Sequence, residues 1–432
     1  MATATFSGLP FEIQEMIGPF LSLHHLAQCV LVNKTWKTVF NPFLWRHIEE
    51  PLQWKSVQKR AARGELEDWN SIFLRCTRAG ALRKNRDLIR SVKFDNCGDD
   101  FFRDFLSNCP DDMRQLNCAE IEGLEGDDDM ISTFLRLSVY GWKRLVFRLS
   151  DSDGCLGFGF RCSDVLQEHA ETLEVLRMEA MVEIFEGSSI QTLLCSAPLL
   201  KELYLIPPNR KALDETCQIE GWVIAEGFEQ GEEWACMELE VFGCQIGDIP
   251  RPDIIRDIFD EGQDGFVVDG TVESSINIQR GVYKQLAQMT KLRQLTLGIH
   301  YDTYDVNYSA HDKEYFRRYD CLAMTLESGL DLLRDLKDLE VVELDDMEVY
   351  IQREEEAIWV AQHWPKARIQ LTEYDTDRDY YSEEEEDEDY EDQVFDFGGI
   401  PYILDNYTSE YLSDEDGSFD EYDSEDAWTD EE

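Results

Sequence analysis

From Ile89 to Leu344 one short pattern keeps returning: an apolar residue, two others, an apolar residue, one other, and an apolar residue. Ile89-Val92-Phe94 shows it, followed by Cys97. So do Met113-Leu116-Cys118, Trp142-Leu145-Phe147, Leu173-Leu176-Met178 and Leu200-Leu203-Leu205. Further on come Cys236-Leu239-Val241, followed by Cys244, then Leu292-Leu295-Leu297 and Leu339-Val342-Leu344. The last two apolar positions of each window are separated by one residue, the period of a strand. Between windows the period lengthens to that of a helix, as in "DDFFRDFLSNCP", where Phe101, Phe102, Phe105 and Leu106 share a side. "SSIQTLLCSAP" and "VYKQLAQM" behave likewise. Strand then helix, repeated, builds either a solenoid or an α/β sheet, and the order favours an α/β solenoid over residues 89–372. Two later intervals are nearly twice as long as the first ones, so insertions are expected near 247–270 and 301–316. "WPKARIQL", with Ile369 and Leu371, is expected to supply a last strand.

Residues 6–50 have a different texture. Pro10 suits the first turn of a helix, where its missing N–H costs nothing. Behind it Ile13, Ile17 and Phe20 form one apolar stripe. Ser22 can cap a second helix carrying Leu23, Leu26, Ala27 and Val30, and Asn33 a third carrying Trp36, Val39 and Phe40. Asn41-Pro42 is expected to break that helix and start a short turn bearing Leu44 and Trp45. Three short helices enclose only a small core, so apolar surface is left over for a partner or for the rest of the chain.

The stretch "LPFEIQEMIGPFLSLHHLAQCVLVNKTWKTVFNPFLWRHI" resembles an F-box. The residues that carry the resemblance are Leu9-Pro10, Ile13, Ile17, Leu21, Leu26, Val32, Lys34, Trp36, Leu44 and Trp45, in the family's order and spacing. Asn33 departs from the Cys or Ser that the family places before its Lys. The windows from Ile89 onward resemble the degenerate leucine-rich repeats of fungal F-box proteins, and "ALRKNRDLIRSVKF" is similar to the lead-in to their first repeat. The resemblance implies a non-catalytic substrate-recognition subunit of an SCF-type cullin-RING ubiquitin ligase. It implies that Leu9, Pro10, Ile13, Ile17, Leu26, Val32, Trp36, Leu44 and Trp45 bind the Skp adaptor, which joins the cullin-RING core. The repeats would then hold a protein substrate, since solenoids offer an extended binding face.

Charge narrows the partners. With 40 Lys and Arg against 91 Asp and Glu the net charge is −51. Nucleic acid and anionic membranes demand clustered bases, so neither is expected as a partner, whereas a substrate with a basic surface is. Residues 51–88 form the one basic region, expected as a helical linker. Residues 373–432 hold about 27 acids against Arg378, a block expected to repel itself and stay mostly disordered. Within it Ser413, Ser418 and Ser424 precede acids and resemble acidophilic kinase sites. An alternative reading is a scaffold or acidic chaperone for basic proteins. The start of the chain has no basic-then-apolar leader and no run of about 18 apolar residues follows, so a cytoplasmic or nuclear setting is expected. The 12 cysteines show no CxxC pair, the histidines no catalytic spacing, and "GCLGFGF" lacks the Lys-Ser/Thr of a phosphate loop. No catalytic residue, cofactor or metal is therefore expected.

Overall fold

The computed structural model describes residues 10–49, 69–95, 98–124, 127–148, 155–179, 181–183, 187–206, 218–230, 232–247, 249–252, 271–297, 322–344, 354–370, 396–397 and 400–401. Leu9, Cys97, the first part of the basic segment, most of 247–270, all of 301–316 and the three tail serines lie outside them.

Three helices open the chain: α1 (Phe11–Ile17), prolonged by a 3-10 turn over Gly18–Phe20, α2 (Leu23–Val32) and α3 (Lys34–Arg46). Both expected caps form. Ser22 Oγ accepts the His25 N–H, and Asn33 Oδ1 accepts the Trp36 N–H at 2.9 Å. Each satisfies an amide that the first helical turn cannot. Asn33→Ala is expected to cost about 1 kcal/mol, read as a lower urea midpoint.

The expected break at Asn41-Pro42 does not occur, and α3 runs through Pro42 to Arg46. A proline inside a helix forfeits one backbone bond and costs about 3 kcal/mol. That cost is offset by burial: Val39 and Phe40 are enclosed with Leu26, and Phe43 and Leu44 pack on them. Asn41 Nδ2 also donates to Asn85 Oδ1 at 3.2 Å. Tertiary packing overrides the local preference here.

The chain passes from α3 straight into a strand, β1 (His47–Glu49), which pairs in parallel with β2 (Ser91–Phe94). The sheet thus begins inside the stretch read as F-box, well before Ile89. Between them lie α4 (Trp69–Arg78) and α5 (Ala81–Asn85). Among the described residues, eight more strands of the same sheet follow: β3 (Cys118–Glu122), β4 (Arg144–Arg148), β5 (Val175–Glu179), β6 (Glu202–Tyr204), β7 (Val241–Gly243), β8 (Gln294–Thr296), β9 (Val341–Glu343) and β10 (Arg368–Gln370). All ten form one parallel sheet in chain order. Parallel neighbours need a crossover. It is supplied by α6 (Asp99–Asn108), α7 (Asp128–Leu135), α8 (Phe160–Glu168), α9 (Gly187–Ser196), α10 (Gly221–Gln230), α11 (Val272–Leu286), a 3-10 helix at Leu330–Asp335, and α12 (Glu354–His363).

The register sets one apolar row across the sheet: Ile48, Val92, Ala119, Leu145, Leu176, Leu203, Phe242, Leu295, Val342 and Ile369 face the same way, and all are buried. Two sequence windows need correction by three residues. Leu116 and Leu239 do not occupy this row; Ala119 and Phe242 do. Ala119 is too small to attract notice in an apolar pattern, and Leu239 outcompetes Phe242 by resembling its neighbours. Leu116 and Leu239 instead sit three residues earlier, as Ile89, Trp142 and Leu173 do, and are fully enclosed.

Three tryptophans anchor this core, each with its indole N–H bonded. Trp142 Nε1 donates to the Leu135 carbonyl at 2.7 Å, Trp234 Nε1 to Gln191 Oε1 at 2.7 Å, and Trp364 Nε1 to the Leu333 carbonyl at 3.2 Å. A buried indole otherwise leaves a donor unsatisfied. Beside Trp142, buried His169 sets Nε2 3.2 Å from the same Leu135 oxygen, and burial holds its pKa below the ordinary value. The unfolded chain then binds the extra proton first, so stability rises with pH in this window. Acidifying from pH 7 through the ordinary histidine value of about 6.5 is expected to lower the urea midpoint. His169→Gln should flatten that slope, and an identical slope would remove His169 as its source.

Candidate adaptor and partner surfaces

The helical module has a core of Leu26, Val39 and Phe40, with Leu21, Leu23, Cys29, Val30, Trp36, Phe43 and Leu44 packed partly against it. Helix α1 turns Gln14 and Gly18 inward. A Cβ on Gly18 would overlap the Phe43 ring, so glycine is what lets α1 lie against α3. With that side of α1 committed, the opposite side faces out. Ile13, Met16 and Phe20 are exposed along it, and Ile17 is half-buried. Phe20 is 86% exposed and Met16 65%. At the end of α2, Leu31 is 78% exposed and Val32 57%, and Phe11 lies open at the start of α1. Single exposed apolar residues are ordinary, but six on a module of under 40 residues leave a surface that water solvates poorly.

The residues named from the sequence divide. Pro10, Ile13 and Val32 reach the surface, and Ile17 lies at its margin. Leu26 is buried in the module's own core. Trp36 and Leu44 pack on that core, Trp36 edge-on to Phe40 at 5.7 Å. Trp45 packs instead against the core of the sheet, so it joins the two parts. The residues that carry the resemblance do not include Phe11, Met16, Phe20 or Leu31, which are exposed as well. Met16 was legible, because Ile13, Met16, Ile17 and Phe20 follow the spacing of one helical face.

The second surface is the side of the sheet facing away from the apolar row. Charges alternate along it. Lys93 Nζ donates to Glu120 Oε1 at 2.8 Å, and Arg148 bridges Glu120 and Glu179, with Nε 3.0 Å from Glu179 Oε2. Arg177 reaches Glu179 at 3.0 Å and Glu202 at 3.3 Å, and its guanidinium carbon lies 5.1 Å from the centre of the Tyr204 ring. Burial alone would raise the Glu120 carboxyl, but hydrogen bonds from Lys93 and Arg148 outweigh it and hold it below the ordinary range. Tyr204 lies across Gly243, where any Cβ would overlap the ring. Burial first, then the charges of Glu343 and Glu179, push its hydroxyl up to about 12. Thr296 donates to Glu343 at 2.6 Å, and among the described residues no Lys or Arg pairs with Glu343. The face therefore runs from a balanced ladder over β2–β6 to an unbalanced carboxylate on β9. Such half-exposed pairs contribute about 0.2–1 kcal/mol each, so their value is in fixing side-chain positions more than in stability.

Cys109, Cys162, Cys236 and Cys244 are buried free thiols, and burial raises Cys236 to about 12, which keeps it protonated and unreactive. Among the described residues no group of His, Cys, Asp and Glu can hold a metal ion. No described helix is long and apolar enough to cross a membrane.

Residues 6–50 match a family described as F-box-like. No curated protein matches the chain.

Proposed function

We propose that this chain is the substrate-recognition subunit of an SCF-type cullin-RING ubiquitin ligase. The observation that carries the reading is the outward apolar face of the helical module, within the residues that match an F-box. In this reading Pro10, Phe11, Ile13, Met16, Ile17, Phe20, Leu31 and Val32 meet the Skp adaptor, and Leu9 joins them. Leu26, Trp36 and Leu44 shape that face from beneath, and Trp45 ties it to the sheet. Apolar and aromatic anchors of this kind dominate protein interfaces.

The strand–helix units are, in this reading, irregular leucine-rich repeats, and their strand face holds the substrate. Intervals within the row support it: Val92, Ala119, Leu145, Leu176 and Leu203 follow each other at 27, 26, 31 and 27 residues, close to a repeat of about 20–29. Glu343, which has no Lys or Arg partner among the described residues, and the net charge of −51 favour a basic substrate surface. The chain performs no chemistry itself; it positions a substrate beside subunits that do.

A co-purification with a Skp-type adaptor tests the adaptor half. Glu343→Lys tests the substrate half. It is expected to reduce recovery of basic proteins while adaptor recovery stays unchanged. Equal recovery of both would remove the strand face from substrate binding.

A further inference from the structure

In so acidic a chain, residues 75–93 stand out with seven bases and a single acid, Asp87. Some of these bases are paired, as Arg78 with Asp104 and Arg86 with Asp112. Arg83, Lys84 and Arg90 are exposed, and among the described residues no carboxylate lies within ion-pair distance of them. They meet α3 at one corner. The Arg90 N–H donates to the Arg46 carbonyl at 2.8 Å, and His47 Nδ1 lies 2.7 Å from Ser91 Oγ.

This corner contains a cavity of about 480 Å³. Pro42, Phe43 and Leu88 give it apolar walls, Arg46 and Arg90 cationic ones, and Glu15 and Asp87 also border it. Arg46 Nε is buried, with no hydrogen-bond partner among the described residues. An apolar recess flanked by guanidinium groups suits an aromatic side chain with carboxylates on either side.

Residues 402–432 repeat that pattern. They hold 13 acids and no base, with aromatics set among the acids in "EYLSDED" and "SFDEYDSEDAW". We propose that this terminal acidic segment docks on the corner of its own chain formed by Arg46, Arg83, Lys84 and Arg90, with one aromatic in the cavity.

Reach is sufficient. The strand pair Asp396–Phe397 and Ile400–Pro401 lies beside α12, near the β10 end of the sheet. Nine strand spacings of about 4.8 Å put β1 roughly 43 Å away. The following 31 residues span up to about 100 Å when extended. Attachment to the same chain raises the effective concentration to the millimolar range, so weak contacts suffice. Phosphate on Ser413, Ser418 or Ser424 would add about −1.5 to −2 charges each and strengthen the docking. The docked segment would cover the junction between the helical module and the sheet, beside the adaptor-facing surface.

The test is carbodiimide cross-linking of the full-length chain, mixed from ¹⁴N and ¹⁵N preparations and read by mass spectrometry. The reagent joins a lysine amine to a carboxylate already in contact with it. At about 50 mM salt, amides between Lys84 and residues 402–432 are expected within single chains, at least about tenfold above those at exposed Lys337 and Lys291. They should fade at about 500 mM salt, and Arg90→Glu or Arg83→Glu should reduce them at least about fivefold. Both arginines are exposed, and an unchanged urea midpoint for either variant excludes unfolding as the cause. An even spread over lysines, mixed-isotope products, or indifference to both reversals would overturn the proposal.

Discussion

Replacing Met16 and Phe20 together by Asp is expected to weaken the complex with a Skp-type adaptor by at least about 100-fold. Burying a Met or Phe side chain is worth about 1.5–3 kcal/mol each, and about 2.8 kcal/mol is already two decades of affinity. The charges add a desolvation cost on top. Both side chains point outward and contribute nothing to the module's core, so the unfolding free energy should stay within about 0.5 kcal/mol of wild type. Titration calorimetry measures the first quantity and equilibrium unfolding the second. Leu26→Asp gives the instructive contrast. It too should abolish binding, but by unfolding the module, since Leu26 is buried against Val39 and Phe40. Loss of binding at Leu26 is therefore no sign of contact.

The largest stability effect is expected at Trp142. Trp142→Ala should cost about 3–5 kcal/mol, a large share of the 5–15 kcal/mol that holds a typical domain together. The ring is fully enclosed, stands 5.2 Å from Phe134, and its N–H, two residues before β4, holds the Leu135 carbonyl at the end of α7. Trp142→Phe should recover most of the packing but not the hydrogen bond, leaving a deficit of about 1–2 kcal/mol. Differential denaturation of the three chains checks both figures. If alanine costs under about 1 kcal/mol, the core around β4 is not close-packed as described.

The sequence made some of this legible and hid the rest for physical reasons. Ser22 and Asn33 announced their helices because capping depends on one side chain and one nearby amide. Six of the eight apolar windows fell in register because large aliphatic or aromatic residues marked both strand positions. The window at Ala119 slipped because a methyl group fills the row position there, and the one at Phe242 because two overlapping windows competed. Strand β1 was invisible: three residues, His47-Ile48-Glu49, carry no period of their own and pair only because β2 lies alongside. Pro42 misled because the cost of a proline is local, whereas the packing of Val39, Phe40 and Phe43 that offsets it is not. The helical face was legible as a stripe, but not its direction. Nothing local tells a reader that Gln14 and Gly18 turn inward while Ile13, Met16 and Phe20 turn out. That choice is made by the Phe43 ring, which fits only against a residue without a Cβ.

The measurement that bears most directly on the central claim is hydrogen–deuterium exchange of the full chain, alone and with a purified Skp-type adaptor, beside light scattering of the mixture. The account predicts a 1:1 complex, with added protection at Phe11–Phe20 and around Leu31–Val32 and none along β2–β9. No complex, or protection on the strand face without change at Phe11–Phe20, would contradict it.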